Sequence, residues 1–374
     1  MKIPVNAADP ATVGTAAEFA PVVTSTLADP ELALDPSATA YDVAIGELGR
    51  LVSAWRRHEP GARLGHDPEE LHQLRVTTRR IDATLGLFKH QLPPSLVRAR
   101  KTTKAVLRSL GAARDLDVEL SELNHYCEGL PEHESAAAEP LRARLESERA
   151  RARGRMIRAL DSEPTRRWLE TLTFAAAERG TADHGDRAIE VMPERVRRRF
   201  RKLRKSVNKL RAKSSMEDYH QVRRRAKQLR YATECGAVMF GRPADELLKA
   251  LRRLQDRLGA HQDAYMAQKR LAALAADPAS GLPPATLFLM GRLAEQNAQL
   301  TARARATVTR SWRKVRGKRW RALRARLAQL ADAAAANGTL ATARDAENVV
   351  AAAVDVTPPT TPQSSAPEFR PVKH

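Results

Sequence analysis

Residues 71–88 read LHQLRVTTRRIDATLGLF. On a helix of about 100° per residue, Leu71, Leu74, Thr78, Ile81, Leu85 and Phe88 fall within an arc of roughly 100°, which is a core-facing stripe. His72, Arg75 and Arg79 fall within about 60° of one another. Their strip lies beside the apolar stripe and not opposite it. A solvated face is expected opposite the core; a strip on the shoulder of the apolar face is placed to line a groove between packed helices. Basic groups one turn apart form a row of donors about 5 Å apart, a spacing that suits a chain of phosphates.

The same device returns downstream. Residues 219–231 read YHQVRRRAKQLRY, and His220, Arg223 and Lys227 stand 148 positions after His72, Arg75 and Arg79. Arg80 extends the first strip and Arg230 the second, although Gln228 holds the place that corresponds to Arg80. Leu110-Gly111-Ala112 and Asp115 recur at the same offset as Leu258-Gly259-Ala260 and Asp263, and Lys101 and Lys104 recur as Lys249 and Arg252. A constant offset across separate motifs indicates an internal duplication into two lobes of about 150 residues.

The pattern LHQLRVTTRR followed by LGAARDLDV, repeated as YHQVRRRAKQLRY and LGAHQDAYM, resembles the CHAD domain, a histidine-containing all-helical family. The resemblance covers about residues 41–335. It implies an all-α fold of two four-helix bundles related by a pseudo-twofold axis. It also implies a basic surface at their junction that binds inorganic polyphosphate, with the name-giving histidines at His72 and His220. Many members carry a CYTH phosphohydrolase domain; no ExExK signature of that domain is present, so the chain resembles a free-standing member.

Composition agrees with a polyanion partner. There are 64 Lys+Arg against 44 Asp+Glu, a net charge of +20. Such a field favours polyphosphate, nucleic acid or an anionic surface. Aromatic residues make up only 4%, which argues against a reader of single strands built on stacking. The two cysteines, Cys127 and Cys235, form no CxxC and fit reduced thiols in a reducing compartment. The first 23 residues make a poor signal peptide, and no apolar run approaches the ~18 residues of a membrane span. The expected location is the cytoplasm, in association with polyphosphate granules.

In chain order, residues 1–38 and 337–374 are expected to be disordered, being rich in Ala, Pro and Thr. The first lobe spans 39–183 and the second 188–335, with TADHGD at 181–186 as the boundary. The first helix is expected over 39–58, ended by Pro60-Gly61; Asp67-Pro68 opens the next, to about residue 90. Helices over 95–110 and 114–128 are expected to meet at a turn on Gly111, and helices over 243–258 and 261–275 at Gly259. That places Asp115 and Asp117 in a first turn, where they serve the helix dipole or pair with arginines. Helices over 136–161 and 163–178 close the first lobe. The second opens with PERVRRRFRKLRKSVNKLRAK, helical over 193–213, followed by a helix over 216–240. A long helical region, 284–335, follows, bent or broken at Gly317.

In the 193–213 helix Val196, Phe200, Leu203, Val207 and Leu210 form the core stripe. Arg197, Arg201, Arg204 and Arg211 make one flank, and Arg198, Lys202, Lys205 and Lys209 the other. Like charges at this spacing repel one another unless a counter-anion binds. Lys101, Lys104 and Arg108 form a further basic row in the first lobe, matched by Lys249 and Arg252 in the second.

The catalytic signatures GxGxxG, GxxxxGK[ST], HExxH and GxSxG are absent. Three readings of His72 stand: a general base, a neutral donor to a phosphate oxygen, or a packing residue, and the same three apply to His220. Flanking arginines disfavour the imidazolium in each. His58, His66 and Asp67 lie close in sequence but lack metal-ligand spacing. The chain is therefore read as a non-enzymatic polyphosphate binder without cofactor or metal, with Arg75, Arg79, Arg223 and Lys227 as its chief contacts. The alternatives are a general nucleic-acid-binding protein and a metal-assisted phosphohydrolase using His72 and Asp115.

Overall fold

The computed structural model describes residues 38–178, 185–211 and 213–336. The segments read as disordered, apart from buried Ala38, and most of the 181–186 boundary lie outside the described residues.

The first lobe consists of α1 (Ala40–Leu64), α2 (Pro68–Leu87), α3 (Pro94–Glu128), a short α4 (Glu132–Ala136), α5 (Glu139–Asp161) and α6 (Glu163–Ala177). The second consists of α7 (Ala188–Lys209), α8 (Met216–Cys235), a short α9 (Ala237–Phe240), α10 (Arg242–Ala275), α11 (Pro284–Lys314) and α12 (320–336). A π-helical turn at Val315–Arg319 joins the last two, with Gly317 at the kink. Ala188, Met216 and Arg242, which open α7, α8 and α10, each lie 148 positions after Ala40, Pro68 and Pro94, which open α1, α2 and α3. The broken pair α5–α6 answers to the kinked pair α11–α12, so each lobe is a four-helix bundle. The fold is all-α, with a single isolated β-bridge among the described residues, between Thr39 and Arg187.

That bridge marks the pseudo-twofold axis. Thr39 and Arg187 are themselves 148 positions apart. Ala40 N–H donates to Asp186 O at 2.9 Å, and Ala188 N–H donates to Ala38 O at 2.9 Å, so the two bonds exchange under the repeat. The principal lobe-to-lobe helix contacts also join counterparts: α1 with α7, α2 with α8, and α5 with α11.

The expected stripe on α2 is the core. Leu71, Leu74, Thr78, Ile81, Leu85 and Phe88 are all buried, as are Tyr219, Val222, Ala226, Leu229 and Thr233 at the matching places on α8. The buried hydroxyls bond inward to their own helices: Thr78 Oγ1 donates to Leu74 O at 2.7 Å and Thr233 Oγ1 to Leu229 O at 2.9 Å. Capping works as read at α2, where Asp67 Oδ1 accepts from Glu69 N–H at 2.8 Å and Pro68 takes the first position. Trp55 meets Trp168 edge-on at 5.6 Å, and Trp168 Nε1–H donates to Thr103 Oγ1 at 2.8 Å. Trp312 and Trp320 are likewise packing residues, both stacked on Phe200.

Several expected breaks are absent. Gly111 and Gly259 are buried inside continuous helices α3 and α10 and form no turn. Asp115 and Asp117 consequently sit mid-helix, and Asp117 is buried against Arg149 at 2.5 Å. Pro60 does not end α1: burial of Ala62 carries the helix on to an αL cap at Gly65. At α7 the inter-lobe bridge starts the helix five residues before Pro193, so that proline lies inside it. The helix read as 216–240 is interrupted at Gly236.

Candidate functional site

Helices α2 and α8 meet near the axis, and the two basic strips meet with them. Arg75 and Arg79 act electrostatically on Lys227, and Arg79 on Arg223. The groups from both lobes therefore form one cluster. Its counter-charges come from α3 and α10: Arg75 Nη2 lies 3.5 Å from Asp115 Oδ1, and Asp263 acts on Arg223. Asp115 and Asp263 are the two aspartates of the repeated LGA motifs.

The motif glycines give the two arginines room. A Cβ on Gly111 would lie 3.5 Å from Arg75 Nη2, and one on Gly259 would lie 3.8 Å from Arg223 Nη2. The Arg75 guanidinium thus lies along bare helical backbone, and Arg223 reaches the matching glycine with Nη2. The Nε of both arginines is buried without a hydrogen-bond partner among the described residues.

Charge crowding has its largest effect on Lys227. Burial, then Arg79, Arg223, Arg75 and Arg230, push its ammonium down to about 5. Burial, then Arg79, hold Arg75 at about 10. The His72 imidazolium is disfavoured mainly by burial, with Arg114, Arg79 and Arg75 adding to the effect and Glu69 opposing it. On the second copy His220 Nδ1 pairs with Gln262 Oε1 at 2.8 Å. Gln262 occupies the position that corresponds to Arg114, so each name-giving histidine is set against the same turn of the following long helix.

The other sequence candidates are distributed more widely. Arg80 and Arg230 are engaged with buried Glu234, at 3.3 Å across the lobes and 3.7 Å within α8. Lys101, Lys104 and Arg108 are exposed on α3, and by helix periodicity the row leads toward Gly111. Lys249 and Arg252 are exposed on α10, where Lys249 pairs with Glu246 at 3.0 Å. Arg197 is half-buried on α7, Arg201 pairs with Glu194 at 2.6 Å, and Arg204 is exposed. A surface depression beside Tyr126, Phe288 and Arg292 shares no residue with the cluster.

Among the described residues no group of three or more His, Cys, Asp or Glu could hold a metal ion; His58 pairs instead with Glu70 at 2.9 Å. Nor is any helix among them long and apolar enough to cross a membrane. Cys127 is buried, Cys235 half-buried, and both are free thiols.

Sequence reasoning missed the role of Glu234 and the purpose of the glycines. It also left His261, which replaces Ala113, unplaced. That ring is buried against Tyr219 at 4.4 Å, and burial with Arg305 pushes it down to about 4.

A family model described as the CHAD domain matches residues 47–272, which include both strips and both glycine motifs. The chain belongs to the CHAD family. Among solved structures this CHAD chain is similar to PptA from Streptomyces chartreusis, at 22% identity and a TM-score of 0.57, covering 74% of this chain and 99% of that one. It is also similar to the CHAD domain from the plant Ricinus communis, at 24% identity and a TM-score of 0.55, covering 79% of this chain and 93% of that one. Both likenesses concern the fold. Two curated relatives from Mycobacterium tuberculosis, the uncharacterized proteins MT2285 and Rv2226, are each 28% identical over 264 residues, or 66% of this chain. The CHAD chain spans about half of their length, 48% in each case.

Proposed function

We propose that this CHAD chain binds inorganic polyphosphate along the seam between α2 and α8, as a non-enzymatic module that associates with polyphosphate granules. The observation that carries the reading is the convergence of Arg75, Arg79, Arg223 and Lys227, two from each lobe, on one cluster whose nearby carboxylates are Asp115 and Asp263. The three guanidiniums held this close repel one another and keep Lys227 uncharged, and a chain of phosphates relieves that repulsion at every step. Arg forks take phosphate oxygens in pairs, while Lys227 offers a point charge that is neutral until the anion arrives. His72, kept neutral by burial, serves as a hydrogen-bond donor at the edge of the seam. Lys101, Lys104 and Arg108 on one side and Lys249 and Arg252 on the other extend the positive field along the polymer.

The test is a titration of the full chain with long-chain polyphosphate and with duplex DNA, at about 50 and about 500 mM salt. Polyphosphate binding that survives the higher salt while DNA binding vanishes supports a shaped site. Loss of both together points to diffuse charge and a general nucleic-acid binder. An Arg75→Glu/Arg223→Glu variant that folds and still binds polyphosphate like wild type overturns the seam assignment. Release of orthophosphate by the pure protein with Mg²⁺, abolished by His72→Ala, overturns the non-enzymatic reading.

A further inference from the structure

Two arginines outside the seam converge on one amide oxygen. Arg199 of α7 and Arg225 of α8 both donate through Nη1 to Gln228 Oε1, at 3.2 and 3.5 Å. Two positions along a helix turn through about 200°, so Arg225 leaves α8 on the side away from Arg223. There α8 packs against α7. The charges acting on half-buried Arg199 are Arg198, Arg225 and Arg100, and those acting on exposed Lys202 are Arg199, Arg225 and Arg198. Arg100 is already joined to Asp82 at 2.7 Å. Arg198, Arg199, Lys202 and Arg225 thus form a cationic group on the α7–α8 flank, and the Arg225 Nε is buried without a hydrogen-bond partner among the described residues.

The duplication shows that the fold does not require this group. The first-lobe positions that correspond to Arg199, Lys202 and Arg225 are Leu51, Ala54 and Thr77, and Leu51 and Thr77 are buried. At Arg199 and Arg225 the second lobe carries charge where the first carries core; of the group only Arg198 has a cationic counterpart, Arg50. A carboxylate in place of Gln228 would cancel half the charge of the two forks; the amide oxygen holds them together and leaves their charge in force.

We propose that the α7–α8 flank is a second oxyanion site, confined to the second lobe, in which Arg199 and Arg225 grip one phosphate group from two helices. Lys202 and Arg198 stand at its exposed rim. The ligand chemistry is a phosphate or phosphoanhydride oxyanion, either a free ion or a segment of the polymer seated in the seam. The polymer source rests on the polyphosphate reading above; the oxyanion site does not.

Calorimetric titration of the full chain with tripolyphosphate tests it, using wild type, Arg199→Gln/Arg225→Gln and Arg75→Gln/Arg223→Gln. Two ions per wild-type chain are expected, and one per chain for each variant. Removing like charges leaves the flank variant melting at or above the wild-type temperature, which checks its fold. A flank variant that keeps the wild-type stoichiometry overturns the proposal. A seam variant that keeps it, while the flank variant loses one ion, overturns the seam reading and leaves the flank standing. Long-chain polyphosphate separates the sources. If one chain spans both sites, the flank variant loses at least about tenfold in its affinity, since the second contact is intramolecular. An unchanged long-chain affinity, with one tripolyphosphate lost, assigns the flank to free ions.

Discussion

The guanidinium of Arg75 lies along the backbone of Gly111, and Arg223 approaches Gly259 at the same place in the repeat through Nη2, beside Asp263 Oδ2. Neither glycine bends its helix, so each weakens a long helix by about 0.5–1 kcal/mol relative to alanine. A methyl at either place makes ordinary contact at 3.5 or 3.8 Å. Gly111→Ala is therefore expected to raise stability slightly and leave polyphosphate binding within about twofold. Gly111→Leu is expected to displace Arg75 and weaken binding about tenfold or more, with the fold retained by circular dichroism.

Lys227 gives a prediction about protons. Its folded value, about 5, lies far below its ordinary 10.5, so it is neutral near pH 7 and costs stability as pH falls from 10.5 toward 5. An anion in the seam restores the charged form. Binding near pH 7.5 is expected to take up close to one proton, read as a slope of calorimetric enthalpy against buffer ionisation enthalpy. Lys227→Met is expected to abolish that uptake, weaken binding and raise the melting temperature of the free protein at pH 7.

Glu234 ties the lobes. It is buried with Arg80 from α2 and Arg230 from α8, and nearby Glu47 shares the charge. Removing one partner of such a group leaves uncompensated buried cations. Glu234→Gln is expected to cost about 3 kcal/mol in urea unfolding, and Glu234→Leu combined with Arg80→Leu to recover only part of it, because Arg230 stays buried without its carboxylate.

Beyond the cationic cluster, α3 carries Glu119 and Glu122, both raised to about 7 by burial; Asp263 and Glu119 add to the effect at Glu122. A carboxyl raised in the fold destabilises it increasingly as pH climbs from the ordinary 4.5 to 7, and by a constant amount above. The gain in melting temperature from Glu122→Gln is expected to grow across that window and level off above pH 7. A gain that is uniform from pH 4 to pH 8 would show that the carboxyl is not held protonated.

The stripe on α2, the matched strips and the 148-residue offset were legible because periodicity and repetition are properties of the chain itself. The glycines were misread because turn propensity is a local signal. What Gly111 does is decided by Arg75, on a different helix. Pro60 and Pro193 misled for a related reason, since burial of Ala62 and the bridge at Ala188 outweigh a lost helical bond. Arg199 and Arg225 did leave a trace. Aligning the two halves sets them against Leu51 and Thr77, and a position that is uncharged and buried in one copy but cationic in the other marks where the halves have diverged in role.

The bridge at Thr39 and Arg187 bears on ancestry. A protein made of one such half would meet a copy of itself by the same reciprocal pair of backbone hydrogen bonds, in an isologous C₂ homodimer. In such a homodimer every substitution would appear twice, on both sides of the axis. A tandem chain is free of that constraint, and Gln228 opposite Arg80 and Arg225 opposite Thr77 are differences that no homodimer can carry. The tandem architecture thus keeps the geometry of a symmetric dimer while its two halves evolve separately.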